Sequence, residues 1–124
     1  MLNAPSGVGL DATANVYATN FTVNDVTVYA AHSYGNIAPM RTITSPPKGG
    51  KMQNPSDVAF DAIGNIFVSA AASNSISVYA PGASGHPKRV QYISGGNTGL
   101  KFSSSLAVSA TGVIYVANYL SDSN

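Results

Sequence analysis

The sequence predicts an all-β protein that forms part of a β-propeller, in which four-stranded antiparallel sheets, or blades, stack side by side around an axis. Two observations carry this prediction. A segment that starts at Pro5 returns fifty residues later at Pro55, and a third copy follows near Ser105. Within each copy, short apolar stretches alternate with Gly, Asn, Ser and Pro, which is the pattern of strands, whereas no helical periodicity is sustained.

The copies are similar residue by residue. Residues 5–17, PSGVGLDATANVY, return as residues 55–67, PSDVAFDAIGNIF, and residues 26–30, VTVYA, return as residues 76–80, ISVYA. The third copy begins with residues 105–116, SLAVSATGVIYV. A fixed period of this length is typical of repeat architectures in which each unit buries its apolar surface against its neighbours.

We expect four strands, a to d, in each complete copy. Their predicted ranges are 7–11, 57–61 and 105–109 for strand a, 15–19, 65–69 and 113–117 for strand b, 25–30 and 75–80 for strand c, and 40–44 and 89–94 for strand d. Tight hairpin turns that start at Asp11 and Asp61 join strand a to strand b, because Asp accepts hydrogen bonds from the backbone of a turn. The connections between c and d, and between d and the next a, are longer and rich in Gly, Pro and Ser.

Side-chain polarity changes in order across the four strands. Strands a and b are apolar on both faces, as at Val8 and Leu10 or at Val58 and Phe60, which predicts that other sheets cover them on both sides. Strand c alternates between apolar and polar residues, and strand d is polar. This gradient is typical of a propeller blade whose strand a lines the channel and whose strand d forms the rim.

At this point the sequence resembles a known repeat family. Residues 55–85, PSDVAFDAIGNIFVSAAASNSISVYAPGASG, together with the Arg-Thr-Ile of residues 41–43, resemble the NHL-type β-propeller repeat, as found in uncharacterised bacterial proteins that carry strings of such blades. The resemblance covers nearly the whole chain. It implies a single partial propeller with blade 1 at residues 1–47, blade 2 at residues 55–95 and half of blade 3 at residues 103–124.

The third copy departs from the other two. Ser103 stands where Pro5 and Pro55 stand, and Ser109 replaces the recurring Asp of the turn. Two and a half blades do not close a ring, because propellers typically have four to eight blades. The open ends would expose faces lined by Leu, Val and Tyr. We therefore expect either a fragment of a longer protein or self-association through exposed blade faces.

Candidate ligands for a metal ion are few. The carboxylates of Asp11 and Asp61 recur at one position and raise the possibility of a calcium site, but one Asp on each separate turn does not supply the six to eight oxygens that Ca²⁺ takes. We expect these carboxylates to cap their turns. His32 and His86 occupy different positions in the c–d loops and are expected to be solvated. We therefore predict no metal site, no catalytic residue and no cofactor.

The aromatic residues divide into two groups. Most recur at fixed blade positions and are expected to pack between blades; these are Tyr17, Phe67 and Tyr115 in strand b, and Tyr29 and Tyr79 at the end of strand c. Tyr34, Tyr92 and Tyr119 lie outside the series. We predict these three as exposed contact residues for an unknown protein or carbohydrate ligand.

The composition excludes some partners. The net charge is +1 and only 9% of residues are charged, against roughly 25% in an average domain, so no nucleic-acid surface is expected. No apolar stretch is long enough to span a membrane. The 124 residues include no Cys. Low charge and many Ser, Asn and Gly residues favour an extracytoplasmic, secreted setting for the full-length protein.

These observations predict a non-catalytic binding or scaffold module. The alternative is part of a gluconolactonase-like or lyase-type propeller enzyme whose active-site residues lie outside this chain. In the gluconolactonase-like case, the resemblance would require a metal-binding Glu with Asn and Asp at the channel mouth. The only acidic residues of this chain are five aspartates.

The sequon at residues 20–22, Asn-Phe-Thr, is a weak signal of glycosylation.

Overall fold

The computed structural model describes residues 1–119, which form ten strands and one short 3-10 helix. The strands are β1 (Pro5–Leu10), β2 (Val16–Asn20), β3 (Asp25–Tyr29), β4 (Arg41–Thr44), β5 (Pro55–Phe60), β6 (Ile66–Ala70), β7 (Ser75–Tyr79), β8 (Gln91–Ser94), β9 (Ser103–Val108) and β10 (Ile114–Asn118), and the helix is Gly96–Thr98. No helix in this part of the chain has the length and apolarity that crossing a membrane requires.

The strands form three antiparallel sheets in chain order. Sheet 1 has the order β1-β2-β3-β4, sheet 2 has the order β5-β6-β7-β8, and sheet 3 consists of β9 and β10. The register repeats, since Val8 pairs with Ala18 in sheet 1 as Val58 pairs with Val68 in sheet 2. The prediction of an all-β chain of four-stranded antiparallel sheets is confirmed.

The sheets meet at their first strands. β1 packs against β5 and β5 packs against β9, while β2 and β6 contact the first strand of the following sheet. Such convergence of first strands is the arrangement of propeller blades around an axis. The chain is therefore a partial β-propeller.

Glycine permits the closest of these approaches. A Cβ atom on Gly7 would lie 2.6 Å from the Ser56 carbonyl oxygen, and one on Gly9 would lie 3.0 Å from the Val58 carbonyl oxygen. A side chain at either position would push β1 away from β5. The residues that the sequence aligns with Gly9 are Ala59 and Ala107, so this one position keeps a small residue in every copy, whereas Asp57 takes the place of Gly7 in sheet 2.

Two apolar cores hold the three sheets together. The core between sheets 1 and 2 contains Tyr17, Val26, Val28, Ile43, Met52, Val58, Ile66, Val68, Ala70 and Tyr79. The core between sheets 2 and 3 contains Phe67, Ile76, Val78 and Leu106. Strands β6 and β7 are buried along their whole length because sheet 2 is covered on both faces.

The expected burial of strands a and b on both faces is wrong for the outer sheets. Val8 and Leu10 are 66% and 60% exposed, and Tyr115 is 61% exposed. Alternate residues of a strand point to opposite faces, and within residues 1–119 no sheet covers the outer face of sheet 1 or of sheet 3. These exposed Val, Leu and Tyr side chains agree with the expectation that open blade faces are apolar.

A recurring serine hydrogen bond joins each sheet to the next. The Ser6 hydroxyl donates to the Pro55 carbonyl at 2.7 Å, and the Ser56 hydroxyl donates to the Ser103 carbonyl at the same distance. A hydroxyl on the second strand lies within hydrogen-bond distance of each serine. The Thr19 hydroxyl lies 3.0 Å from that of Ser6, and the Ser69 hydroxyl lies 2.9 Å from that of Ser56. The interface chemistry is thus repeated along with the fold.

A second recurring bond uses an asparagine side chain. The Asn24 Oδ1 atom accepts from the Asn54 N–H at 2.7 Å, and the Asn74 Oδ1 atom accepts from the Phe102 N–H at 2.8 Å. Asn24 and Asn74 have φ values of 62° and 45°, in the left-handed region that Asn tolerates better than most residues. This conformation lets one residue close a turn and bind the next blade.

Candidate functional site

The turns between the first two strands are closed by aspartate side chains. Asp11 Oδ1 accepts from the backbone N–H groups of Thr13 and Asn15, each at 2.9 Å, and Asp11 Oδ2 accepts from the Asn15 side chain. Asp61 accepts from Ile63 and Asn65 in the same way. These bonds confirm that the aspartates cap their turns, and they end strand a one residue earlier than predicted.

The same bonds perturb the acidity of the two carboxyls. Burial acts to raise the pKa of Asp11, but hydrogen bonds from Asn15 and Thr13 outweigh it and lower the pKa to about 2. Burial also opposes the shift at Asp61, whose pKa is lowered by hydrogen bonds from Asn65, Ile63 and Gly64. Among residues 1–119, no three His, Cys, Asp or Glu side chains lie together as a metal-binding group.

His86 has a structural role that the sequence did not reveal. Its Nδ1 atom lies 2.8 Å from the Thr44 hydroxyl oxygen and 2.9 Å from the Ser45 carbonyl oxygen. The neighbouring Gly85 pairs with Ile43 as a parallel bridge, and the Thr44 N–H donates to the Gly85 carbonyl at 2.8 Å. The c–d loop of sheet 2 thus pairs with the outer edge of β4, the rim strand of sheet 1. His86 is exposed but not merely solvated as expected; His32 is exposed as well.

The rim arginines are engaged within the protein. Arg41 donates to the Tyr17 hydroxyl at 2.7 Å. Burial raises the pKa of Tyr17, and the Arg41 charge opposes that rise. Arg89 donates to the carbonyls of Gly49 and Gly50 at 2.7 and 3.0 Å. Arg41 therefore ties the rim strand β4 to β2. Arg89 lies two residues before β8, because this strand begins later than the predicted residue 89, and it ties the chain to the loop at Gly49 and Gly50.

The three tyrosines predicted as exposed contacts lie in different surroundings. Tyr34 and Tyr119 are 90% and 75% exposed. Tyr92 is half-buried and less exposed than expected, because the Arg89 guanidinium lies 4.0 Å from its ring centroid and its hydroxyl lies beside Gly50. The structure does not bring these three side chains into one site.

Tyr34 lies at a groove on the outer face of sheet 1. This groove has a volume of about 740 Å³ and is lined by Met1, Leu2, Val16, Tyr29, Ser33, Tyr34, Gly35, Asn36, Ile37, Ala38 and Pro39. The sequence places Tyr29 in the series that packs between blades, and its counterpart Tyr79 is fully buried in sheet 2. The groove therefore offers an exposed aromatic ring beside an apolar blade surface.

The sequon asparagine is part of the fold. Asn20 is fully buried. Its side-chain Nδ2 donates to Asp25 at 2.8 Å and to Thr27 at 3.1 Å, and its Oδ1 accepts from the Asn3 N–H at 2.9 Å. A glycan on Nδ2 would displace these partners, so the folded chain does not present this asparagine for modification.

The structure is similar to solved structures of two lyases. It matches a selenomethionine-substituted virginiamycin B lyase from Staphylococcus aureus with a TM-score of 0.61 and 10% identity, over 97% of this chain and 43% of that chain. It matches a streptogramin B lyase with a TM-score of 0.59 and 9% identity, over 95% of this chain and 41% of that chain. No family model and no curated protein matches the sequence.

Both lyases are β-propeller proteins, so the comparison agrees with the sheet geometry described above. At this level of identity the likeness shows the fold alone. This chain spans less than half the length of either lyase.

Proposed function

We propose that this chain is part of an NHL-type β-propeller that acts as a non-catalytic binding or scaffold module. Its proposed blades are residues 1–47, residues 55–95 and the partial blade at residues 103–124, of which residues 120–124 lie outside the residues that the structure describes. The ligand is a protein or a carbohydrate. The observation that carries the proposal is the almost fully exposed Tyr34 ring beside the apolar groove on sheet 1, since aromatic faces at apolar surfaces are favoured contact sites.

The recurring polar side chains support this proposal. Asp11 and Asp61 are engaged in capping turns, and the serine and asparagine pairs described above are engaged in joining sheets. The side chains that recur are thus used by the fold, whereas Tyr34 and Tyr119 are large, exposed and outside the repeat. We further propose an extracytoplasmic setting. For the open blade faces we propose self-association of this chain, as the alternative to coverage by further blades of a longer protein.

Binding to arrays of immobilised oligosaccharides and of peptides tests the proposal. We expect the folded chain to bind members of one array, and we expect Tyr34→Ala to weaken that binding by about tenfold or more, because loss of a buried aromatic contact costs about 1–2 kcal/mol or more. Ile63→Ala is the control, since Ile63 is 77% exposed on a turn of sheet 2. Absence of binding on both arrays, or unchanged binding by Tyr34→Ala, would overturn the proposal.

The second candidate is part of a lyase-type or gluconolactonase-like enzyme with its active-site residues outside this chain. The likeness in fold to two lyases favours the lyase type. Chromatography of virginiamycin B after incubation with a longer protein that contains this chain tests this candidate. Consumption of the antibiotic by the longer protein would favour the enzyme, and we expect none with the 124-residue chain.

A further inference from the structure

The two interfaces inside the chain use one set of contacts. We call the side of a sheet that faces the preceding sheet its leading face, and the side that faces the following sheet its trailing face. At the first interface, the trailing Tyr17 ring packs edge-on against the leading Phe60 ring, with centroids 4.8 Å apart. At the second, the trailing Phe67 lies in one core with leading residues Leu106 and Val108.

Each interface also has the same shape. The trailing side of the first strand carries small residues, such as Gly9 in β1 and Ala59 in β5, and the leading side of the next strand carries bulky ones, such as Phe60 in β5 and Val108 in β9. The serine hydroxyl of one sheet then reaches the first carbonyl of the next sheet. These contacts recur at both interfaces. The second interface adds the Asp57 carboxylate, which accepts from the Leu106 N–H at 2.9 Å and from the Ser105 hydroxyl at 3.1 Å, where sheet 1 has Gly7.

The trailing face of sheet 3 carries the part of this set that belongs to the first two strands, without a partner sheet in residues 1–119. Ala107 is small and exposed on β9, and Tyr115 is 61% exposed on β10. Ser105 is exposed as well, but its hydroxyl donates to Asp57 of sheet 2 at 3.1 Å. Ser104 occupies the position of Ser6 and Ser56, and its hydroxyl donates within its own sheet to the Ala117 carbonyl at 3.2 Å.

The leading face of sheet 1 carries the other part of the set. Val8 and Leu10 occupy the positions of Val58 and Phe60 and are 66% and 60% exposed. Beside them lies a groove of about 320 Å³, which Leu2, Val16 and Tyr29 help to line. In sheet 2 the residues at these three positions are Met52, Ile66 and Tyr79, all of them fully buried against sheet 1.

We propose that the leading face of sheet 1 binds the trailing face of sheet 3 of a second copy of this chain. This inference rests on the self-association in the proposed function, and the second copy would compete with a ligand in the Tyr34 groove, because both would cover Leu2, Val16 and Tyr29. Tyr115 of one copy packs on Leu10 of the next, as Tyr17 packs on Phe60. The Ser104 hydroxyl then faces the Pro5 carbonyl of the next copy, as Ser6 faces Pro55. The contact is head-to-tail, because the two copies contribute different faces.

Light scattering after gel filtration tests this interface with two variants of the full chain. We expect the wild-type chain to elute above the 12.7 kDa mass of one copy. Leu10→Asp places a charge on the leading face and Tyr115→Asp places a charge on the trailing face. Each variant alone should therefore elute as a monomer. Ile63→Asp, on an exposed turn outside both faces, should behave as the wild type. Far-UV circular dichroism confirms that each variant keeps its β-structure.

Mixing the variants decides the geometry. The trailing face is unaltered in Leu10→Asp and the leading face is unaltered in Tyr115→Asp. A head-to-tail contact therefore predicts a one-to-one heterodimer and no higher oligomer. A monomeric wild-type chain would overturn the proposal. So would a mixture that stays monomeric. A symmetric contact between two leading faces would instead leave Tyr115→Asp oligomeric on its own, and this result would also overturn the proposal.

Discussion

The close approach of β1 to β5 at Gly7 leads to a quantitative prediction for Gly7→Ala. The added Cβ would lie 2.6 Å from the Ser56 carbonyl oxygen and 2.7 Å from the Asp57 Cα atom. Both are backbone atoms of a strand that is held on its other side by sheet 3, so they do not yield as a flexible side chain would. The first strand must therefore move outward.

The size of the effect follows from this geometry. Forcing one extra carbon into a packed interface costs about 1–3 kcal/mol. The Gly7 N–H also donates to the Thr19 hydroxyl at 2.8 Å, and an outward shift of β1 weakens the nearby Ser6 bond to sheet 2. With an m-value of about 2 kcal/mol per molar urea for a chain of this size, we expect the midpoint of unfolding to fall by roughly 0.5–1.5 M.

Urea unfolding at fixed protein concentration, followed by far-UV circular dichroism, measures this change. Gly96→Ala is the matched control, because a Cβ on Gly96 meets no atom within 4 Å. Its midpoint should stay the same or rise, since replacing Gly at a compatible position stabilises by about 0.4–1 kcal/mol. Equal midpoints for Gly7→Ala and the wild type would refute the argument that glycine is needed for the contact between blades.

Two further predictions concern hydrogen bonds. Ser56→Ala should lower the free energy of unfolding by about 1–3 kcal/mol in urea titrations, because it removes a buried donor to the Ser103 carbonyl. Ser104→Ala, at the exposed counterpart in sheet 3, is the control and should change this free energy by less than about 0.5 kcal/mol. The lowered pKa of Asp11 predicts stability that is full above its ordinary value of 3.8 and is lost as the pH falls toward 2; urea midpoints measured from pH 6 to pH 2 should fall less steeply for Asp11→Asn.

The sequence was sufficient to predict the sheets because two levels of evidence agreed. The period from Pro5 to Pro55 located the units, and the turn residues Asp11 and Asp61 located the hairpins inside them. Strand ends were less predictable. β1 and β5 begin two residues before the predicted start, at Pro5 and Pro55, because a bulge near the serine keeps the strand paired beyond the apolar stretch.

The candidate site was less predictable because exposure depends on neighbours that are distant in sequence. Nothing near Tyr92 indicates that Arg89 covers its ring, since the geometry also depends on the loop at Gly49 and Gly50. Nor does the sequence around His86 show that it reaches sheet 1. A usable signal was present for Ser6 and Ser56, whose recurrence after proline marks the bond between sheets.

The burial of a residue in this fold is decided by its sheet's neighbours more than by its own chemistry. Val8 and Val58 are the same residue at the same repeat position, yet Val8 is 66% exposed and Val58 is 5% exposed. Tyr115 and Phe67 differ in the same way, at 61% and 5%. A repeat sequence therefore specifies blade faces that become buried when another blade packs on them, as both faces of sheet 2 are. In the proposed head-to-tail contact, the outer faces of sheets 1 and 3 cover each other, and the mixing of Leu10→Asp with Tyr115→Asp tests that contact directly.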